Sequence, residues 1–368
     1  MKLTILKHRE RSSNIRISLE QATDMYTNME FHELLNMAQA RRMAMNPGNH
    51  VTYLVDRNIN YTNACTINCQ FCSFYRSPNH PEAYTQTVDE ISVRISELEN
   101  VGGTRILMQG GVNPDLPLEW YTELLSELRS RHPGIAFDCF SPIEIEGIAK
   151  IADKTTAEVL RVLKDAGMTG LPGGGAEMLV DNVRLNVSPI KGSSDRWIEV
   201  MREAQRLDLT TSATNVFGFG ETLRQRIEHL DRIRNLQDEA ITEDRRGFTS
   251  FIAWPVQLEN NSFGRKNKGR NRIEKGAGPV DYLRHLAISR LYLDNIPHIQ
   301  ASWPTMGLGI AQIGLSAGAD DIGSTMMEEN VVSASGTTRT SASELELRKM
   351  IELAGFTPVK RNSDYLHL

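Results

Sequence analysis

Along the chain, short β-branched or aromatic runs alternate with longer stretches in which apolar residues recur at three- and four-residue intervals. The short runs fit strands buried in a sheet and the longer ones fit amphipathic helices. Strands are expected at 58–62, 105–109, 136–140, 169–171, 211–216, 249–254, 299–303 and 320–323. Helices are expected between them at 88–100, 118–131, 155–166, 195–207, 222–238, 279–294 and 307–317. Repeated βα units imply a parallel sheet, and right-handed crossovers close eight of them most simply into a (β/α)8 TIM-type barrel. Residues 16–47, with Leu19, Ala22, Met25, Met29 and Leu34 roughly on one stripe, read as one or two leading helices that cap the barrel. Residues 342–354, with Leu345, Leu347, Met350, Ile351 and Leu353, read as a closing C-terminal helix. The expected organisation is an N-terminal helical extension, 1–50, packed on a barrel, 51–368.

Composition narrows the class. The 368 residues and 40% hydrophobic content suffice for a sizeable core. A net charge of −5 produces no field that would draw a polyanion, so no nucleic-acid partner is expected. There is no run of eighteen apolar residues, and the start Met1-Lys2-Leu3-Thr4-Ile5-Leu6-Lys7 lacks a signal-peptide apolar region. A cytoplasmic protein without membrane insertion is therefore expected. Only 4 cysteines occur, which excludes a disulfide framework.

Three of these, Cys65, Cys69 and Cys72, stand in a Cys-x3-Cys-x2-Cys run directly after the first expected strand. Three thiolates on one short loop can hold a [4Fe–4S] cluster by three irons and leave the fourth open to a substrate, whereas an electron-transfer cluster takes four cysteines. Zinc would want a fourth Cys or His at motif spacing, and the nearest histidine downstream, His80, lies in a Pro-flanked stretch. Cys139 falls inside the third expected strand, where a buried structural thiol is the natural reading. Strand two runs into Gln109-Gly110-Gly111-Val112-Asn113-Pro114, where glycines let a backbone approach a ligand closely. Strand three leads to Ser141. Strand four leads through Gly173-Gly174-Gly175 to Glu177, a carboxylate that at a barrel mouth could accept ribose hydroxyls or act as a base, and at a helix start could simply favour the macrodipole. The basic, glycine-punctuated stretch 265–278 reads either as a surface loop or as a lid over an anionic substrate.

The cysteine run resembles the signature of the radical S-adenosylmethionine (SAM) enzymes. In that family the amino and carboxylate groups of SAM chelate the open iron, and one electron cleaves the sulfonium to a 5'-deoxyadenosyl radical. The resemblance implies that Gly110, Gly111 and Pro114 form the element receiving the SAM amino group and that the Phe71 backbone meets adenine. Phe74 could pack on the same ring, and Ser141 and Glu177 are further candidates for SAM contact. Over about 50–355 the chain is most similar to the menaquinone-pathway branch of this superfamily, and within it to the dehypoxanthine futalosine cyclases. That similarity rests on 60–63, 71–76, 173–179, 295–303 and above all 318–332. It implies C4' hydrogen abstraction from dehypoxanthine futalosine and ring closure onto its benzoate ring, with an external flavodoxin- or ferredoxin-like reductant. Gln109, Ser141, Thr325, Glu328, Glu329 and Asn330 are the expected substrate contacts, although for the adjacent acids a helix-start role is an equal alternative. Two segments depart from the family pattern, Pro304-Thr305-Met306-Gly307 and the basic loop 264–278, both on the substrate side. Aminofutalosine synthase and the deazaflavin-forming enzymes share the cysteine and glycine elements. A non-enzymatic electron carrier would instead require a fourth cysteine ligand.

Overall fold

The computed structural model describes residues 16–267 and 273–368. The chain's first residues and the middle of the basic loop, 268–272, lie outside the described residues. The strands are β1 (His50–Leu54), β2 (Asp56–Ile59), β3 (Arg105–Met108), β4 (Ala136–Cys139), β5 (Gly170–Leu171), β6 (Thr210–Phe217), β7 (Phe248–Pro255), β8 (His298–Gln300), β9 (Asp321–Ser324) and β10 (Thr357–Lys360). Every pairing is parallel, in the order β10-β1-β9-β8-β7-β6-β5-β4-β3-β2. β1 and β2 are one run broken only at Val55. β1 pairs with β9 and β2 with β3, so the series joins its own start as a barrel of eight positions. Thr325 clasps the seam, its hydroxyl donating to Asp56 O at 2.8 Å and accepting from Asp56 N at 3.1 Å.

The helices begin where local chemistry dictates. Ser18/Gln21, Thr87/Glu90, Thr155/Glu158, Thr222/Gln225 and Ser343/Glu346 each form a reciprocal capping box, satisfying amides that the first turn leaves without a helical partner. The leading helices Leu19–Asn28 and Phe31–Met45 pack on Leu223–Thr242 and Pro279–Tyr292. The first strand lies earlier than expected, because Thr62 bridges to Thr85 and turns 60–62 into the approach to the cysteines. The seventh stops at Gln300, because Pro304 sits in the first turn of a short helix, Trp303–Met306. Periodicity passed over the helices Pro142–Ala152 and Asp181–Val187 and the strand β10.

The barrel floor is ionic. Arg361 reaches Asp321 at 2.5 and 3.1 Å, with Thr52 donating to the same carboxylate at 2.6 Å. Arg105 pairs with Asp56 and, at 3.4 Å, with Asp138, to which Ser363 also donates. Tyr365 stacks on His298 at 3.9 Å and lies under the Arg361 guanidinium at 3.8 Å. The C-terminal tail thus plugs the end opposite the mouth, and pairing offsets the desolvation of these charges.

Candidate functional site

The cysteine loop is closed on itself before any ligand is considered. Cys65 N donates to Arg76 O and Arg76 N to Asn63 O, both at 2.8 Å, and the Arg76 guanidinium donates to Ser73 O and Tyr75 O at 3.2 and 3.0 Å. The thiols are half-buried and receive donors. Ile67 N and Val112 N lie 3.5 and 3.4 Å from Cys65 Sγ, and Ser188 Oγ lies 2.9 Å from Cys69 Sγ. Burial, reinforced by Cys69, pushes the Cys72 thiol up to about 11, and burial also raises Cys65, so metal binding must displace protons here. Among the described residues no group of three His, Cys, Asp or Glu side chains converges on one ion. The three thiols sit on one loop, with amide and hydroxyl donors of the kind that tune cluster sulfur.

The Gly110-Gly111 turn is shaped by the same loop. A Cβ on Gly111 would lie 2.1 Å from Ala64 O and 2.7 Å from Cys65 Cβ, and one on Gly110 would lie 2.7 Å from the Tyr61 ring. These glycines therefore let β3 dock against the cysteines, and Pro114 follows in an exposed turn. Behind the turn sits Glu144, which sequence reasoning missed. Its buried carboxylate accepts from Tyr61 Oη at 2.8 Å, Gly110 N at 2.9 Å and Ser141 Oγ at 2.6 Å, tying together the ends of three neighbouring strands. Burial lifts its carboxyl to about 7 despite those donors.

Glu177 is buried at φ +43°, beside the cluster loop, with its carboxylate already engaged: Lys191 Nζ lies at 2.7 Å and Arg184 Nη1 at 3.4 Å. Burial alone would lower the Lys191 ammonium, but Cys69 and Glu177 outweigh it and leave it raised. That ammonium stands 5.5 Å above the Phe71 ring, so Glu177 reaches the cysteines through Lys191. The triple glycine is largely a packing device, since a Cβ on Gly173 would meet Ser212 O at 2.3 Å. Phe71 packs on Phe219 at 5.2 Å and Phe74 edge-on against Tyr84 at 6.5 Å.

The expected substrate contacts separate into two sets. Asn60 Nδ2 donates to Gln109 O at 3.1 Å and Asn330 Nδ2 to Asn60 Oδ1 at 3.3 Å, which brings Gln109 and Asn330 to one rim. Thr325 holds the seam. Glu328 bridges Arg57 and Arg94, each at 2.8 Å. Glu329 accepts from Val331, Val332 and Ser333 amides at 2.8–2.9 Å, the helix-start alternative in a local form. A cavity of about 500 Å³ opens instead beyond the ends of β7, β8 and β9, lined by Gln257–Glu259, Pro304–Gly307 and Ser335–Arg339. No motif announced it, because its lining comes from three loops well separated along the chain. Ser73, which follows Cys72, joins it to the cysteine loop by donating to Glu259 O at 3.0 Å and meeting Ser335 Oγ at 2.8 Å. The stem of the basic loop docks on the same loop, with Phe263 N and Ser262 Oγ donating to Gln70 O at 2.8 and 3.0 Å.

A parallel barrel carrying three cysteines on one loop at the mouth end of its first barrel position, braced by a glycine turn from the next, defines a radical SAM enzyme, whose cofactors are a [4Fe–4S] cluster and SAM. Two family models match the chain, the radical SAM superfamily over 59–233 and the CofH/MqnC C-terminal region over 245–368. The chain is 42% identical to the cyclic dehypoxanthine futalosine synthase of Halalkalibacterium halodurans, over 95% of this chain and 91% of that protein. It is 39% identical to the protein of the same name from Streptomyces coelicolor, over 96% and 86% of the two. It is 35% identical to the aminodeoxyfutalosine synthase of Thermus thermophilus, over 95% and 92%. The FeFe-hydrogenase maturase of Carboxydothermus hydrogenoformans shares the fold at a TM-score of 0.74 and 16% identity, over 99% of this chain and 80% of that one. The chain belongs to the radical SAM superfamily and, within it, to the CofH/MqnC family. No helix among the described residues is long and apolar enough to cross a membrane.

Proposed function

We propose that this enzyme converts dehypoxanthine futalosine to cyclic dehypoxanthine futalosine in menaquinone biosynthesis. The observation that carries this reading is near-full-length identity to two proteins named for that reaction, higher than to the aminodeoxyfutalosine synthase. When bound, the cluster and SAM supply a 5'-deoxyadenosyl radical. In this reading the substrate's C4' hydrogen ends in 5'-deoxyadenosine, the C4' radical adds to the neighbouring benzoate ring, and the ring regains aromaticity by giving a proton to a base or solvent and an electron to a one-electron redox partner. Cys65, Cys69 and Cys72 would hold the cluster. The Gly110–Pro114 turn, the Phe71 backbone, Phe74, Ser141 and Glu177 form the SAM side, with Glu177 setting the position of Lys191. Gln109 and Asn330, linked through Asn60, face the substrate. The protein's task is to keep C4' within about 3–4 Å of the radical carbon and to exclude other hydrogen donors. A cytoplasmic setting and a flavodoxin- or ferredoxin-like one-electron donor belong to the same proposal.

The test is isotopic. With dehypoxanthine futalosine deuterated at C4', the reconstituted enzyme should place deuterium in free 5'-deoxyadenosine and release a product without the adenosyl group. A covalent adenosyl adduct would assign the sister chemistry of aminofutalosine synthase, and deoxyadenosine free of deuterium would reject C4' abstraction.

A further inference from the structure

We infer that the cavity beyond β7, β8 and β9 binds the aromatic carboxylate of the substrate, with Arg339 as the group that pairs with the carboxylate. This rests on the proposed reaction, which requires a benzoate-bearing substrate but does not say where the benzoate sits. The cavity's volume of about 500 Å³ falls within the range of small-molecule sites. It opens at the end of the barrel where loops after the strands build active sites, and Ser73 joins its wall to the cysteine loop through Glu259 and Ser335. A ligand seated there lies beside the radical-generating centre.

The lining suits an aromatic acid. Leu258, Pro304 and Met306 offer apolar surface to a ring, and Thr337 and Thr338 offer hydroxyls. Arg339 is held in place by two contacts: its Nε donates to Ser341 O at 3.1 Å, and one terminal nitrogen pairs with Glu346 in the capping box of Glu344–Leu353. A guanidinium has five N–H donors in a planar fork, so these contacts orient it and leave donors for a bidentate carboxylate. The cavity's other charged group is Glu259, whose carboxylate lies against Gly336, where an added Cβ would meet Oε2 at 2.3 Å. It repels a carboxylate and accepts sugar hydroxyls, so the two charges sort the acid and ribose ends of one ligand. All of the lining falls within 245–368, the span matched by the CofH/MqnC C-terminal region, whereas the cysteines fall in the superfamily match. The departure at 304–307 also lands in this wall. Radical generation and substrate selection thus occupy different stretches of the chain.

The experiment measures equilibrium binding to holoenzyme loaded with SAM but left unreduced, so that nothing turns over. The probes are dehypoxanthine futalosine and its carboxamide, which keeps the shape and loses the charge. Wild type should bind the acid at least about ten-fold more tightly than the amide, the size of one charge-assisted pair. Arg339→Ala should erase that preference while iron content and SAM affinity stay at wild-type levels, and Arg339→Lys should restore part of it. Equal loss for acid and amide, or a preference that survives Arg339→Ala, overturns the assignment. Acid preference that depends on Arg339 without any cyclised product under reducing conditions would instead retain this site and remove the proposed reaction.

Discussion

Gly111→Ala probes the docking of the glycine turn against the cysteine loop. The added Cβ would stand 2.1 Å from Ala64 O, 2.7 Å from Cys65 Cβ and 2.8 Å from Ala64 C, where ordinary contact is 3.4–4 Å. Two of these atoms are backbone, so no side-chain rotation relieves the clash, and the strand end and the loop must part by about 1 Å. Overpacking of this kind costs about 1–3 kcal/mol where neighbours can yield. The movement falls on Cys65 itself and on the Val112 N contact to its sulfur, 3.4 Å long. A displacement of about 1 Å in a metal ligand or a reacting group is enough to cost on the order of 100-fold in rate. Iron per chain, cluster absorbance and uncoupled 5'-deoxyadenosine formation should all fall in Gly111→Ala, with only modest loss of thermal stability. Gly134→Ala is the control, because nothing lies within 4 Å of a Cβ there. Full iron content and wild-type deoxyadenosine formation in Gly111→Ala would refute the argument that this glycine exists to admit the loop.

Alanine at Cys65, Cys69 or Cys72 should abolish bound iron and deoxyadenosine formation together, while Cys139→Ala, buried within β4, should keep both; loss of the cluster in Cys139→Ala would revive a four-cysteine ligand set. Glu177→Gln strands the buried Lys191 and Arg184 cations, so it should weaken SAM affinity by about ten-fold as well as stability; a purely structural residue would lower stability and leave SAM affinity untouched. Burial lifts the Glu144 carboxyl to about 7 from 4.5, so its contribution to folding is fully present below about pH 4.5 and is lost as pH rises through about 7. The stability of wild type relative to Glu144→Gln should therefore decline by about 3 kcal/mol across that window, and a difference independent of pH would contradict the buried, proton-binding assignment. Arg361→Ala leaves Asp321 buried and unpaired and should cost about 3–5 kcal/mol in chemical denaturation while the KM for SAM is unchanged; a shift in that KM would show the floor and the mouth to be coupled.

Much of this architecture is written in local pattern. The helices Val88–Asn100 and Leu118–Arg131 fall at the expected positions, since amphipathic spacing and an end signal are properties of a dozen consecutive residues. Pro142–Ala152 was passed over because its polar residues are consumed by the site: Glu144 is buried under the glycine turn, so the helix shows no clean polar face. β10 was missed because its run Thr-Pro-Val-Lys is short and only partly buried, and it is a strand only because β1 offers it an edge.

At the site the same division holds. Cysteine spacing marked the candidate cluster ligands, because one loop must reach three irons and few spacings allow it. Sequence likewise placed Glu177 and the Gly110-Gly111 turn at the mouth, since strand ends in a parallel barrel share one face. Only the tertiary structure decided what those residues touch. It joined Glu177 to Lys191, gave Glu328 and Thr325 to ion pairs and the barrel seam, brought Glu144 beneath the turn, and assembled a cavity from three loops after β7, β8 and β9. Hydrogen bonds and charge pairs form between positions tens to hundreds of residues apart, and no local periodicity records which partners the closing of a barrel will bring together.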